Sequence, residues 1–272
     1  MNKRRDPAPL SAACMGVFDS GVGGLSVLRA LQRAAPHVPL LYLADSAHAP
    51  YGERGEEYVL ARSNRIASHL VAQGAAGLVL ACNTATAIAV RTLRERWPAL
   101  PVIGVEPGLK PAAAATRNGR IGVLATTGTL SSDRYRQLLH AQPASVQVVP
   151  HACPGLARLI EQGNLEAPAL VHAIEQHCAA LREAQVDTVV LGCTHYAFVH
   201  ELIQAAMGPQ VQIIDTAEAV ARHALHRLGG LWTRGPEMAA VRLQTTGSPQ
   251  ALRDIAAGWL SFECHVEAAP GV

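Results

Sequence analysis

The sequence predicts an α/β fold of two pseudo-symmetric parallel-sheet α/β domains, with a candidate site in the cleft between them. Three observations carry this. Short apolar runs alternate with stretches of helical periodicity, as in a parallel sheet covered by helices. The pattern restarts midway: Ile121-Gly-Val-Leu-Ala-Thr-Thr-Gly128 resembles Met15-Gly-Val-Phe-Asp-Ser-Gly-Val22, displaced by 106 positions. Two cysteines sit in near-identical frames 111 positions apart, Gly77-Leu-Val-Leu-Ala-Cys82-Asn-Thr and Thr188-Val-Val-Leu-Gly-Cys193-Thr-His. Offsets this close suggest an internal duplication.

In chain order, Met15–Phe18 reads as a strand and Gly24–Ala34 as a helix after a glycine-rich turn. Leu40–Ala44 is a second strand. Glu56–Gln73 has apolar residues at helical spacing (Val59, Leu60, Ile66, Leu70), with Arg62 directed outward, and stops at Gly74. Leu78–Ala81 is a third strand, followed by a helix to Trp97 that Pro98 ends. Val102–Val105 is a fourth. After the restart at Ile121 come a strand at Val146–Val149 and helices at Leu156–Gln162 and Pro168–Ala184. A strand at Val189–Leu191, a helix to Met207 and a strand at Gln212–Ile214 follow. The tail adds a helix at Ala217–Leu228, a strand at Ala240–Thr245 and a helix from Pro249 to Leu260. The boundary near Val105–Lys110 is tight, because no linker is present.

Composition excludes several classes. A net charge of +2 over 272 residues gives no footprint for nucleic acid. The basic start Lys3-Arg-Arg5 is a solvated tail. Asp6, Pro7 and Pro9 leave no apolar segment for a signal ahead of Cys14. The uncharged stretch Leu70–Val90 is broken by Gln73, Gly74, Gly77 and Asn83 into strand, turn and helix start, so no membrane span is expected. Aromatic residues make up only 4%, so the core is built from Ala, Val, Leu and Ile. Six cysteines in a chain this long do not make a disulfide framework and read as reduced thiols of a cytoplasmic protein. Only Lys3 and Lys110 are available to form a Schiff base, which argues against pyridoxal phosphate. No cofactor is expected.

In parallel sheets, ligands collect at the carboxyl ends of strands. Four such ends carry polar residues: Asp19-Ser20, Cys82-Asn83-Thr84, Thr126-Thr127 and Cys193-Thr194-His195. Each alone is explained as a helix cap; together they mark a site for a small polar ligand. Cys82 and Cys193 are the candidate proton-transfer groups, because a helix N-terminus lowers a thiol's pKa. Asp19 and His195 are their candidate helpers. Cys14, Cys153, Cys178 and Cys264 read as small hydrophobes. No Cys-x-x-Cys pair supports a metal, and none is expected. Gly21-Val-Gly-Gly24 fits neither phosphate-binding fingerprint and reads as a tight turn bringing backbone near a small ligand.

The chain resembles the glutamate racemase family, within the cofactor-independent amino-acid racemases, from Gly16 to about Leu260. The resemblance rests on Val17-Phe-Asp-Ser-Gly-Val-Gly-Gly-Leu-Ser26, Tyr42-Leu-Ala-Asp45, Pro50-Tyr-Gly52, Ala81-Cys-Asn-Thr-Ala85 and Ile103-Gly-Val-Glu-Pro107. It continues in Gly122-Val-Leu-Ala-Thr126, Gly192-Cys-Thr-His-Tyr196 and Thr245-Thr-Gly247. It implies that one cysteine takes the α-proton of glutamate while the other delivers a proton to the opposite face. Cys82 with Asp19 would act on D-glutamate, and Cys193 with His195 and Glu161 on L-glutamate. Glutamate would be held by Asp19, Ser20, Tyr51, Gly52, Asn83, Thr84, Thr126, Thr194 and His195. The resemblance also implies a homodimer that supplies D-glutamate for peptidoglycan. It divides the chain into residues 1–106 plus 217–272 and residues 107–216, with a return near Asp215. Two alternatives are a racemase of aspartate or another small acidic amino acid, and a racemase-fold protein that binds DNA gyrase. Aspartate racemases often carry glutamate at the position of His195, so this histidine favours glutamate. Ala197 and Ala47-His48-Ala49 depart from the commonest family forms and bear on loop conformation.

Overall fold

A computed structural model describes residues 13–232, 238–269 and 271–272. The basic start Lys3–Arg5 lies outside them. The first half runs β1 (Cys14–Asp19), α1 (Leu25–Ala34), β2 (Leu40–Ala44), α2 (Glu56–Ala72), β3 (Ala75–Leu80), α3 (Asn83–Arg96) and β4 (Val102–Gly104). The second runs α4 (Leu109–Ala115), β5 (Arg120–Ala125), α5 (Thr127–Leu130), α6 (Asp133–His140), β6 (Gln147–Ala152), α7 (Leu156–Glu161), α8 (Pro168–Glu183), β7 (Thr188–Gly192), α9 (His200–Met207) and β8 (Gln212–Ile214). Then come α10 (Ala217–Leu228), β9 (Val241–Thr245), α11 (Pro249–Trp259) and β10 (His265–Ala268).

The strands form two parallel sheets. The six-stranded sheet has the order β10-β9-β2-β1-β3-β4, and the four-stranded sheet β6-β5-β7-β8. The run β2-β1-β3-β4 in one therefore has the same order as β6-β5-β7-β8 in the other. β1 and β5, which carry the sequence match, hold equivalent central places. So do β3 and β7, which lead into the two cysteines. Strands with both faces covered need continuous apolar sequence, and β1, β2 and β7 are buried at every position. The last two strands extend the first sheet: β9 pairs with β2, and β10 with β9.

One apolar cluster runs from Met15, Leu28 and Tyr42 in the first half to Leu191, Tyr196 and Ile203 in the second, so the halves share a core. Each sheet's other face has its own cluster, around Ile66, Leu70 and Leu93 and around Leu109, Ile121 and Tyr135. Among the described residues no helix is long and apolar enough to cross a membrane.

Several sequence expectations are corrected. Arg62 does not face outward; it is buried, and its Nη2 lies 2.7 Å from Asp45 Oδ1. Hydropathy counts a guanidinium as exposed, whereas a buried carboxylate partner draws it in. The strand read at Val146–Val149 continues through Pro150 to Ala152; β6 is an edge strand, where the missing amide hydrogen breaks no ladder. After Cys193 the chain makes a 3-10 turn, Thr194–Val199, before α9 starts. Helices α4 and α6 and strand β10 carried no expectation. Ser132, which accepts from Tyr135 N at the start of α6, was the available signal.

Candidate active site

The carboxyl ends of β1, β3, β5 and β7 meet where the halves join. Asp19 ends β1 and is fully buried, with its Oδ1 accepting from Ser20 Oγ at 2.9 Å and its Oδ2 from Thr194 Oγ1 at 2.8 Å. Thr194 belongs to the second half, so this carboxylate ties the halves together. A second tie is Thr84 Oγ1 to Thr126 Oγ1, 2.9 Å apart.

Cys82 caps α3, and its sulfur accepts from Ala85 N at 3.5 Å. Its thiol also reaches Ser20 Oγ at 3.7 Å. Asp19 is therefore joined to Cys82 through Ser20. The expected lowering of this thiol's pKa does not occur: burial first, then the charge of Asp19, push it well above the ordinary value. The helix N-terminus acts in the opposite sense but is outweighed by the loss of solvent.

Cys193 has different company. Its sulfur lies 3.7 Å from His195 Nδ1, and His195 Nε2 lies 2.5 Å from Glu161 Oε1. Glu161 is therefore turned inward to His195 rather than out to solvent, and it also accepts from Val22 N at 2.6 Å. Burial disfavours a charged His195, but hydrogen bonds to Cys193 and Glu161 outweigh it and hold the imidazole pKa well above the usual range. Asp19 is shifted upward as well, by burial, against the opposing effects of His195, Thr194 and Ser20.

The glycine turn has its explanation here. A Cβ at Gly21 would run into the Glu161 carboxylate, and one at Gly23 into the His195 ring. Glycine at these positions lets two side chains of the second half press against first-half backbone.

Asn83 is 4% exposed, and both polar atoms of its amide lack any hydrogen-bond partner. An unsatisfied buried amide costs about 1–3 kcal/mol. It follows Cys82 directly, so the site holds a free donor and a free acceptor beside a thiol. Tyr51 places its hydroxyl elsewhere: it donates to Asp45, which also binds Arg62 and accepts from Thr246 Oγ1 at 2.8 Å. This network braces the Pro50-Tyr-Gly52 segment, where Gly52 packs against Thr126. The sequence reading missed that Arg62 and Thr246 join Asp45 in this brace; the signal for Thr246 was its place just past the end of β9. A cavity of about 290 Å³ lies outside Glu161, lined by Val22, Pro50, Arg158, Glu161 and Ser248.

Residues 22–224 match the family described as Asp/Glu/Hydantoin racemase. A protein from Pseudomonas putida strain F1 named glutamate racemase is 50% identical over 246 residues, 90% of this chain and 92% of its own length. A solved glutamate racemase isoform from Bacillus anthracis superposes with a TM-score of 0.86 at 34% identity, covering 95% of this chain and 98% of that one. The Escherichia coli glutamate racemase, solved with L-glutamate and the activator UDP-MurNAc-Ala, gives a TM-score of 0.82 at 28% identity over 94% and 99% of the two chains. The chain belongs to the Asp/Glu/hydantoin racemase family and is an amino-acid racemase, an isomerase.

Proposed function

We propose that the chain interconverts L- and D-glutamate without a cofactor, using Cys82 and Cys193 as opposed acid and base on the two faces of Cα. The observation that carries the reading is the placement of two buried thiols after equivalent strands of two like-ordered sheets, with the unpartnered Asn83 amide beside one of them. Relatives of the same length carrying the name glutamate racemase support glutamate as substrate, as does His195.

The steps follow from the contacts. Cys82, whose proton is held by burial, is the resting acid; it delivers that proton to the face opposite Cys193. Cys193 takes the α-proton of L-glutamate, with His195 beside its sulfur and Glu161 behind the imidazole. For D-glutamate the roles exchange, and Ser20 links the Cys82 thiol to Asp19. The carbanion next to a carboxylate is stabilised by dipoles already in place. Asn83 and the N-terminus of α3 are suited to that task. Asp19, Ser20, Thr84, Thr126 and Thr194 shape the cleft, and the backbone of Tyr51 and Gly52 closes it. Closure keeps water from competing for the proton. In the cell the product would be D-glutamate for peptidoglycan, made by a cytoplasmic homodimer; the muramyl nucleotide bound to the Escherichia coli neighbour supports that setting.

The test is incubation with L- or D-glutamate in deuterium oxide without added cofactor, followed by NMR at Cα. Loss of the α-proton from both enantiomers is expected. Absence of exchange with either overturns the reading, and exchange with aspartate alone overturns the substrate. Light scattering tests the dimer, and D-glutamate auxotrophy after deletion tests the cellular role.

A further inference from the structure

Away from the cleft thiols, three ligand-type side chains converge in the second half. His151, Cys153 and His177 each offer one ligand atom, and these atoms all lie within 4.8 Å of one another. His151 is near the end of β6. Cys153 follows the strand and keeps its ladder, donating its N–H to Ala125 O at 2.9 Å. Two positions apart on an extended chain, His151 and Cys153 share a face. That face meets α8, which supplies His177. The sequence hides this group because the two histidines are 26 positions apart.

The spacing suits a metal ion. His151 Nε2 and His177 Nδ1 are 3.1 Å apart. Two nitrogens about 2.0–2.1 Å from a tetrahedral zinc stand about 3.3 Å apart, and a sulfur at about 2.3 Å stands about 3.6 Å from each. The nitrogens are thus nearly in place, and the thiol has to close by about 1 Å at most. A neutral imidazole has one lone pair to give, and the two ring nitrogens that face each other here are the ones that would give it. Cys153 is buried while the two histidines are only partly so, which leaves a route for the ion.

A simple imidazole pair explains the 3.1 Å contact but not the neighbouring tyrosine. Tyr196 is fully buried, and its hydroxyl makes no well-formed hydrogen bond; the group it points to is the Cys153 thiol, a weak acceptor. A metal-bound thiolate is a strong acceptor, and outer partners of this kind orient and tune metal ligands.

We propose that His151, Cys153 and His177 form a second site, which binds one divalent transition-metal ion of the zinc class and leaves a fourth position to water. On binding, the metal–sulfur bond forms as the thiol gives its proton to bulk water. Each imidazole keeps its single proton on the nitrogen turned away from the metal. Nothing is oxidised or reduced. Tyr196 then donates to the sulfur. It stands three positions after Cys193 and within electrostatic reach of both thiols, so it is the link between this site and the cleft.

The test uses full-length chelator-treated protein carrying Cys82→Ser and Cys193→Ser, which removes the cleft thiols as competing ligands. Titration with cobalt(II) should give one equivalent bound, with a thiolate charge-transfer band and tetrahedral d–d bands, both displaced by zinc(II). Adding Cys153→Ser should abolish the charge-transfer band. Outer partners alone are worth about 10–100-fold in metal affinity, so adding His177→Gln should weaken binding by more than about 100-fold. His177→Gln in the otherwise native chain should leave metal-free racemisation unchanged, which separates loss of the site from loss of the fold. If Cys153→Ser does not fold, His177→Gln decides. Absence of cobalt uptake, or a thiolate band indifferent to these substitutions, overturns the proposal.

Discussion

Cys82 and Cys193 follow corresponding strands of like-ordered sheets, yet their surroundings differ at every contact. Cys82 caps a regular helix and faces a hydroxyl, Ser20, with a carboxylate behind it. Cys193 opens a 3-10 turn without a cap bond and faces an imidazole, with a carboxylate behind that. Each thiol thus has a two-step chain ending in an acid, Ser20–Asp19 on one side and His195–Glu161 on the other. Burial and the charge of Asp19 keep the proton on Cys82, while the imidazole beside Cys193 is held in its charged form by hydrogen bonds to that sulfur and to Glu161. The repeat supplies the placement of the thiols, and the substituted neighbours set what each thiol faces.

The largest effect expected is on the thiols themselves. Cys82→Ser and Cys193→Ser should each lower kcat by about 10²–10⁴-fold, the usual worth of a general acid or base. Each should keep deuterium exchange from one enantiomer only, L-glutamate for Cys82→Ser and D-glutamate for Cys193→Ser. Equal loss of both exchanges in one variant would break the two-sided comparison.

Next comes the brace peculiar to the first half. Arg62→Ala leaves Asp45 buried without its cation and should destabilise the fold by about 3–5 kcal/mol in denaturant titration. Arg62→Ala within about 1 kcal/mol of the parent would show that Tyr51 and Thr246 suffice for Asp45.

The helpers should separate the sides. Asp19→Asn and His195→Asn should each slow turnover by about 10- to 100-fold, the range for a lost hydrogen bond to a charged group. Enantiomers have equal free energy, so kcat/KM must fall equally in both directions. The asymmetry belongs in kcat, with KM moving in proportion, and D-to-L turnover should be more affected by Asp19→Asn and L-to-D by His195→Asn. Identical kcat losses in both directions would remove the assignment of helper to side.

The smallest effect is on pH. His195 has its pKa raised in the folded protein, so the charged imidazole and the stability it contributes are present below the ordinary histidine range and lost as pH rises through the higher folded value. Glu161→Gln removes a cause of that rise. The alkaline limb of the kcat profile should move to lower pH, with a loss of about tenfold or less at its maximum. An unmoved limb would show that Glu161 only holds Val22.

Much of this was readable in the chain. The buried strands of a parallel sheet are continuous apolar runs, and their polar ends announce themselves, so β1, β3, β5, β7 and both thiols were legible. Asn83, Thr84 and Thr194 were found by the same rule. Glu161 was placed only through the family resemblance, because a carboxylate on a short helix looks like any solvated charge. Arg62 was misread because its partner, Asp45, lies on another element 17 positions away. The direction of the Cys82 shift was also misread, since local position shows a helix N-terminus but not the absence of water.

The sequence by itself determined the alternation of strands and helices, the repeat and the two cysteines at strand ends, because periodicity and strand-end chemistry are local properties. Only the tertiary structure decided which groups face each thiol, how far burial lifts the Cys82 proton, and that His151, Cys153 and His177 meet. Those depend on contacts between segments distant in the chain and on the exclusion of solvent, and no local pattern of residues encodes either.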